Sequence, residues 1–181
     1  MTILVVFSSL LSAEDKRVIP LDMYLIMDSS SSFQSAKAGA ADWLNGQVVD
    51  RIFTEGDKVT IWAAGDSAEV VYSGQIGNAG EKSEIKDKIQ ALTTDGRSAD
   101  FQGALRDLQQ RLSVPSPGRM PYTMLVIATA GGIGSAISGS YQSLLRWSRS
   151  EKYEGWQALI LAPDIGRKVS QAAQNYMNSQ R

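Results

Sequence analysis

The chain has 181 residues, of which 43% are apolar, 20% charged and 8% aromatic. This composition is typical of a globular domain and excludes a disordered chain or a coiled coil as the main state, and the length favours one domain. Since 18 Lys and Arg side chains stand against 19 Asp and Glu, the formal net charge is −1. The chain therefore has no basic surplus with which to bind nucleic acid or an anionic membrane through bulk electrostatics.

Histidine and cysteine are both absent from the sequence. Their absence excludes disulfides, thiolate and imidazole metal sites, cysteine nucleophiles and every catalytic triad that needs an imidazole. The chemistry of this chain is left to hydroxyls, carboxylates, Lys, Arg and the backbone.

The N-terminal residues 2–11 (TILVVFSSLL) form an uncharged, mostly apolar run, and Ser12 and Ala13 separate it from the charged stretch 14–17. This arrangement is typical of the end of a secretory signal. We therefore predict that residues 1–13 are a signal segment and that the protein is secreted or periplasmic. Alternatively, residues 5–7 form an extra edge strand of a cytoplasmic protein. The run is too short to span a bilayer and no other stretch qualifies, so no membrane-spanning segment is predicted.

The rest of the chain alternates strand-like and helix-like segments. Residues 21–27 (LDMYLIM) and 123–128 (TMLVIA) are apolar at nearly every position, as expected for strands buried on both faces of a parallel sheet. A tight turn at 64–67 joins two short strands and predicts an antiparallel hairpin at the sheet edge. The predicted strands are 21–27, 59–63, 68–72, 123–128 and 158–162, and the apolar spacing predicts helices around 36–52, 85–92, 101–112, 141–147 and 169–177.

This order predicts a single α/β domain over residues 20–178. Its sheet is doubly wound, Rossmann-like and mostly parallel, with one antiparallel edge strand and helices on both faces. Ligands of such folds bind at the carboxyl ends of the strands. The loops of interest therefore follow Met27, surround Ser98 and follow Ala128.

The loop after the first buried strand carries Asp28, Ser30 and Ser32, a carboxylate and two hydroxyls at alternating positions. These are hard oxygen ligands, which suit Mg²⁺, Mn²⁺ or Ca²⁺ rather than zinc or copper. One carboxylate and two neutral hydroxyls leave such an ion under-neutralised, so that it can take a further carboxylate from a partner. The alternative interpretation is that these side chains only cap the helix that follows.

Asp28-x-Ser30-x-Ser32 between an apolar strand and an amphipathic helix, together with the element order, resembles the von Willebrand factor type A family. That family includes the integrin I-domains and many bacterial surface proteins. The segments 56–59 (GDKV) at the second strand and 100–105 (DFQGAL) at a helix start resemble motifs of the family, and the resemblance covers about residues 20–178. It implies the fold described above, a non-enzymatic role in protein binding and adhesion, and a metal-ion-dependent adhesion site built from three loops.

The resemblance also implies that this site is degenerate. The first loop matches completely, at Asp28, Ser30 and Ser32. The family's second loop supplies a threonine ligand, which falls on Ala99 in an ungapped alignment and on Ser98 if one residue is inserted; we predict Ser98.

The third loop of the family carries an aspartate where this chain has Ala130. With one anionic ligand missing, we predict weak binding of Mg²⁺ (or Mn²⁺ or Ca²⁺), which Asp95 or Asp100 would partly rescue.

Three functions follow from these residues. The first is a non-enzymatic module that binds a protein partner at the carboxyl edge of the sheet, with a partner acid completing the shell of the ion. Ala130 favours the second, a metal-free scaffold of the same fold within a protein complex. The third is a metal-assisted hydrolase, for which no general base is evident, and we predict no catalytic residue.

Overall fold

The structure is a computed structural model that describes residues 20–112, 123–129 and 157–161. The predicted signal segment at 1–13, the predicted helices around 141–147 and 169–177, and Ala130 lie outside these residues. In chain order the elements are β1 (Asp22–Asp28), a 3₁₀ turn (Ser31–Phe33), α1 (Gln34–Trp43), a π-helical segment (Leu44–Val49), β2 (Lys58–Ala64), β3 (Ala68–Gln75), α2 (Ala79–Ala91), α3 (Phe101–Leu112), β4 (Thr123–Ile127) and β5 (Gln157–Leu161).

The described strands form one sheet in the order β3-β2-β1-β4-β5. β1 pairs in parallel with β2 and β4, and β4 pairs in parallel with β5. β3 runs antiparallel to β2 at the edge. The prediction of a mostly parallel, Rossmann-like sheet with one antiparallel edge strand is confirmed. The parallel strands end at one edge, which we call the carboxyl edge.

Helices cover both faces of the sheet because the side chains of β1 are apolar on both of its faces. Met23, Leu25 and Met27 face a core shared with α1 and α2. Ile26 faces the opposite way, into a second core with Trp62 of β2 and the apolar side of α3. The apolar positions that predicted these helices are buried, among them Ala40, Leu44, Val48, Ile85, Ile89, Leu105 and Leu108.

The first helix departs from the uninterrupted pattern that its apolar spacing predicts. After Trp43 the chain widens into π-helical geometry, and the amide of Asp50 donates to the carbonyl of Asn45 at 3.0 Å. The wider turn still leaves Leu44 and Val48 buried. The spacing of apolar residues is similar in both helix types, so the sequence could not distinguish them.

The edge opposite the carboxyl edge is held together by Asp57, which is fully buried. One carboxylate oxygen accepts from the amide of Leu21 at 2.7 Å, and the other accepts from the amide of Thr54 at 2.8 Å. Gly56 precedes it with φ 93°, against the ring of Pro20. The segment 56–59 therefore joins the starts of β1 and β2, and its role is architectural.

Within the described residues, no helix combines the length and the apolar character needed to cross a membrane.

Candidate metal and partner-binding site

The predicted bend lies at the carboxyl edge of the sheet. Asp28 is the last residue of β1 and pairs in register with Ala64, the last residue of β2. The amide of Ser29 donates to the carbonyl of Ala64 at 2.9 Å, so the bend leaves the sheet level with the end of β2. Asp28, Ser29 and Ser30 are buried, with 2%, 6% and 5% of their surface exposed, and Ser32 is exposed.

The structure brings Asp28, Ser30 and Ser32 together through their side chains. The Ser30 hydroxyl lies 2.6 Å from Oδ1 of Asp28 and 2.8 Å from the Ser32 hydroxyl. A carboxylate can only accept, so Ser30 donates its single proton to Asp28 and Ser32 donates to Ser30. The result is a short chain of oxygens that starts at a buried carboxylate and ends at the surface.

The second carboxylate oxygen of Asp28 has no such support. Oδ2 is buried and has no hydrogen-bond partner among the described residues. A buried acceptor left without a donor costs about 1–3 kcal/mol, and more if it is charged. This bare carboxylate oxygen and the hydroxyls of Ser30 and Ser32 are oxygen donors of the kind that a small divalent cation takes.

Helix capping does not account for these side chains. Ser30 is the N-cap of the 3₁₀ turn, yet its side chain makes no capping hydrogen bond. Asp28 Oδ1 accepts from the amide of Ser30 at 2.8 Å, which closes a turn two residues long. Since the serine hydroxyls bond along the side-chain cluster, the capping alternative is wrong for Ser30.

The second predicted loop packs directly against the first. The amide of Ser31 donates to the carbonyl of Gly96 at 2.7 Å, and the amide of Gly96 donates to the carbonyl of Ser29 at 3.2 Å. The Ser29 hydroxyl donates to the carbonyl of Thr93 at 2.6 Å. A side chain at Gly96 would lie 3.1 Å from backbone atoms of Gly65 and Asp66, so the second loop also packs tightly against the turn between β2 and β3.

Ser98 lies in this second loop, but its hydroxyl does not face Asp28. Its amide and hydroxyl contact Oδ1 of Asp66 at 3.1 and 3.3 Å, and the amide of Arg97 donates to the same oxygen at 2.8 Å. Asp66 belongs to the turn between β2 and β3. The structure therefore places Ser98 at the predicted edge, bound to an aspartate that the sequence analysis did not single out.

Asp66 is exposed, and these contacts affect the pKa of its carboxyl group. Desolvation raises the pKa of Asp66, but the amides of Ser98 and Arg97 and the charge of Arg97 together outweigh it and hold the pKa below its usual value. The Arg97 guanidinium itself contributes a long contact of 3.4 Å from a side chain that is 92% exposed. Asp66 thus remains an anion that fixes the second loop to the β2–β3 turn.

Asp95 and Asp100, the two carboxylates predicted to supply the missing negative charge, accept hydrogen bonds from nearby residues. Asp100 accepts from the amide of Gly103 at 2.8 Å and from the amide of Ala68 at 3.3 Å, which anchors α3 to β3. Asp95 is exposed and accepts from the Thr93 hydroxyl at 3.1 Å. Ala99 is half-buried against the core on the α3 side of the sheet. In the parts of the chain that are described, no three carboxylates gather into one metal-binding cluster.

The third predicted loop leaves the sheet beside the bend. Ile127, the last residue of β4, pairs with Met27, and Ala128 behind it is fully buried. The first and third loops therefore start at the same edge, and the second loop packs against the first there. The replacement of the third-loop acid by Ala130 stays a prediction from the sequence.

Solved structures share this fold. A von Willebrand factor type A structure from Catenulispora acidiphila matches with a TM-score of 0.56 at 13% identity over 90% of this chain and 42% of that one. The chain has the von Willebrand factor type A fold. Proximal thread matrix protein 1 from the mussel byssus matches with a TM-score of 0.61 at 15% identity, over 80% of this chain and 37% of that one. The conserved hypothetical protein BatB from Bacteroides thetaiotaomicron matches with a TM-score of 0.53 at 15% identity, over 78% of this chain and 66% of that one.

At these identities the likeness to von Willebrand factor type A structures is one of fold. No family model matches the sequence, and no curated protein matches it. The chain spans 38% of the first matched structure, which is a second crystal form of the mussel protein. Within the von Willebrand factor type A fold, the Asp28 bend lies at the carboxyl edge of the central strand.

Proposed function

We propose that this protein is a non-enzymatic adhesion or protein-binding module that takes a protein partner at the carboxyl edge of its sheet through a weakly held divalent cation. The ion is Mg²⁺, with Mn²⁺ or Ca²⁺ as substitutes. The observation that carries the proposal is the buried Oδ2 of Asp28, which has no hydrogen-bond partner among the described residues. The other oxygen of the same carboxylate, Oδ1, is bonded to the Ser30 hydroxyl, which in turn contacts the Ser32 hydroxyl.

Asp28, Ser30 and Ser32 would hold the ion. When bound, the ion supplies a positive centre that accepts an acidic side chain of the partner. Asp28 is the one anion of this set, so the centre keeps positive charge, which favours a carboxylate ligand from outside. The same shortage of anionic ligands makes the binding weak.

Ser98 would be a further ligand. Its hydroxyl would have to exchange Asp66 for the ion, and its contact with Asp66 is long, at 3.3 Å, and solvent-exposed. Exposed hydrogen bonds exchange with water at little net cost, so Asp66 does not prevent this role. Asp66 would keep the loop in place through the amides of Arg97 and Ser98.

A metal-free scaffold is the second candidate. It is favoured by the hydroxyl chain from Ser32 through Ser30 to Asp28, which satisfies Oδ1 of Asp28 without an ion, and by Ala130 in the third loop. In that case the same loops would hold the partner through direct hydrogen bonds.

Titration calorimetry separates the two candidates. Mg²⁺, Mn²⁺ and Ca²⁺ are titrated into the wild-type chain, into Asp28→Asn and into Asp87→Asn, a matched change at an exposed aspartate of α2. We expect binding heat from the wild type and Asp87→Asn and none from Asp28→Asn, with equal circular dichroism for all three. A flat trace from the folded wild-type chain would reject the metal and leave the scaffold.

A further inference from the structure

A groove of about 650 Å³ lies next to the Asp28 bend. It runs between the β2–β3 hairpin and the C-terminal part of α2 with the loop that follows. Ser29 lines this groove and also belongs to the bend, so a partner that covers the bend lies over the mouth of the groove. Its volume is in the range of cavities that bind ligands and side chains.

The groove has an apolar part and a charged part. Ala63, Val71 and Leu92 line it and pack against the core, Leu92 with only 7% of its surface exposed. The charged lining residues are all exposed: Asp66, Glu69, Asp95 and Lys88. The apolar surface thus lies deep, and the carboxylates lie towards solvent.

The charge of the groove is negative. Asp66 is occupied by the second loop and is partly offset by Arg97. The other two carboxylates of the groove, Glu69 and Asp95, outnumber its single lining cation, Lys88. Within the described ranges neither Glu69 nor Lys88 has an ion-pair partner. A cationic group that enters the groove would meet this excess of carboxylate.

We propose that the groove receives an arginine or lysine side chain of the protein partner, as a second contact beside the cation. Such a side chain lays its alkyl stem on apolar surface and keeps its charged head near carboxylates, which is the arrangement that these walls offer. The assignment to the partner rests on the proposed function. It adds that the partner segment carries a basic residue next to the acid that reaches the ion.

The groove is tested by nuclear magnetic resonance of the ¹⁵N-labelled full chain in EDTA, so that no divalent ion takes part. The probes are three capped tripeptides, acetyl-Gly-X-Gly-amide with X as arginine, norleucine or glutamate. We expect the arginine peptide to shift the amides of Ala63, Glu69 and Leu92 saturably, the norleucine peptide to do so more weakly, and the glutamate peptide to leave them unchanged.

Variants link these shifts to charge. We expect the double variant Glu69→Gln, Asp95→Asn to bind the arginine peptide about tenfold more weakly than the wild type. Glu55→Gln, at an exposed turn outside the groove, should leave the affinity for this peptide unchanged. Equal binding of the norleucine peptide, unaltered binding to the double variant, or no shift at the groove would each overturn the proposal. Because EDTA is present, these outcomes are independent of whether calorimetry finds a metal at Asp28.

Discussion

Two buried aspartates of this chain, Asp28 and Asp57, differ in how their carboxylate oxygens are hydrogen-bonded. Asp57 has a backbone donor on each of its two oxygens. Asp28 has its two donors on the same oxygen and leaves the other bare among the described residues. A carboxylate with both oxygens satisfied stabilises the fold, whereas one with a bare buried oxygen costs stability and keeps an acceptor that a ligand could use.

This contrast predicts that Asp57→Ala lowers the free energy of unfolding by about 2–4 kcal/mol, since the amides of Leu21 and Thr54 lose a charged acceptor. Urea unfolding followed by circular dichroism measures the change. Asp87→Ala is the control, because that side chain is exposed on α2 and should change stability little. A loss at Asp57 no greater than at Asp87 would contradict the architectural role.

At the scale of elements, continuous apolar runs made the strands predictable. The prediction at 21–27 differs from β1 by one residue at each end, and the hairpin was placed correctly because the turn at 64–67 and its flanking strands are local features. The contact between Ser98 and Asp66 was not predictable, since it joins residues 32 apart whose pairing depends on the sheet. The sequence could place Ser98 near the edge, but it could not determine which group its hydroxyl contacts.

The close approach of the second loop to the β2–β3 turn predicts opposite effects for substitutions at Gly96 and Gly39. A Cβ at Gly96 would crowd backbone atoms at 3.1 Å, whereas one at Gly39 of α1 meets nothing within 4 Å. We expect Gly96→Ala to cost about 1–3 kcal/mol and to weaken Mg²⁺ binding, because backbone cannot easily yield. Gly39→Ala should instead stabilise the chain by about 0.5–1 kcal/mol through helix propensity.

Urea unfolding and calorimetry on both glycine variants check this pair. If Gly96→Ala keeps wild-type stability and wild-type Mg²⁺ affinity, then the packing of the second loop against the β2–β3 turn does not shape the site.

At the scale of the whole molecule, the sheet order determines which loops of the candidate site lie next to each other. β1 is central, so the loops after β1 and β4 leave neighbouring strands, and Asp66 in the turn after β2 binds the loop that contains Ser98. Carboxylates, hydroxyls and an acidic groove therefore share one edge. At the opposite edge, where β1 and β2 start, Asp57 accepts a hydrogen bond from the amide of Leu21.

Anomalous diffraction from a crystal of the protein soaked in Mn²⁺ tests the central claim most directly, because it shows both the ion and its ligands. The account predicts one peak at the carboxyl edge, within coordinating distance of Asp28 Oδ2 and of the Ser30 and Ser32 hydroxyls, and no such peak in crystals of Asp28→Asn. A wild-type crystal with no peak at Asp28, or with manganese only at other carboxylates, would contradict it.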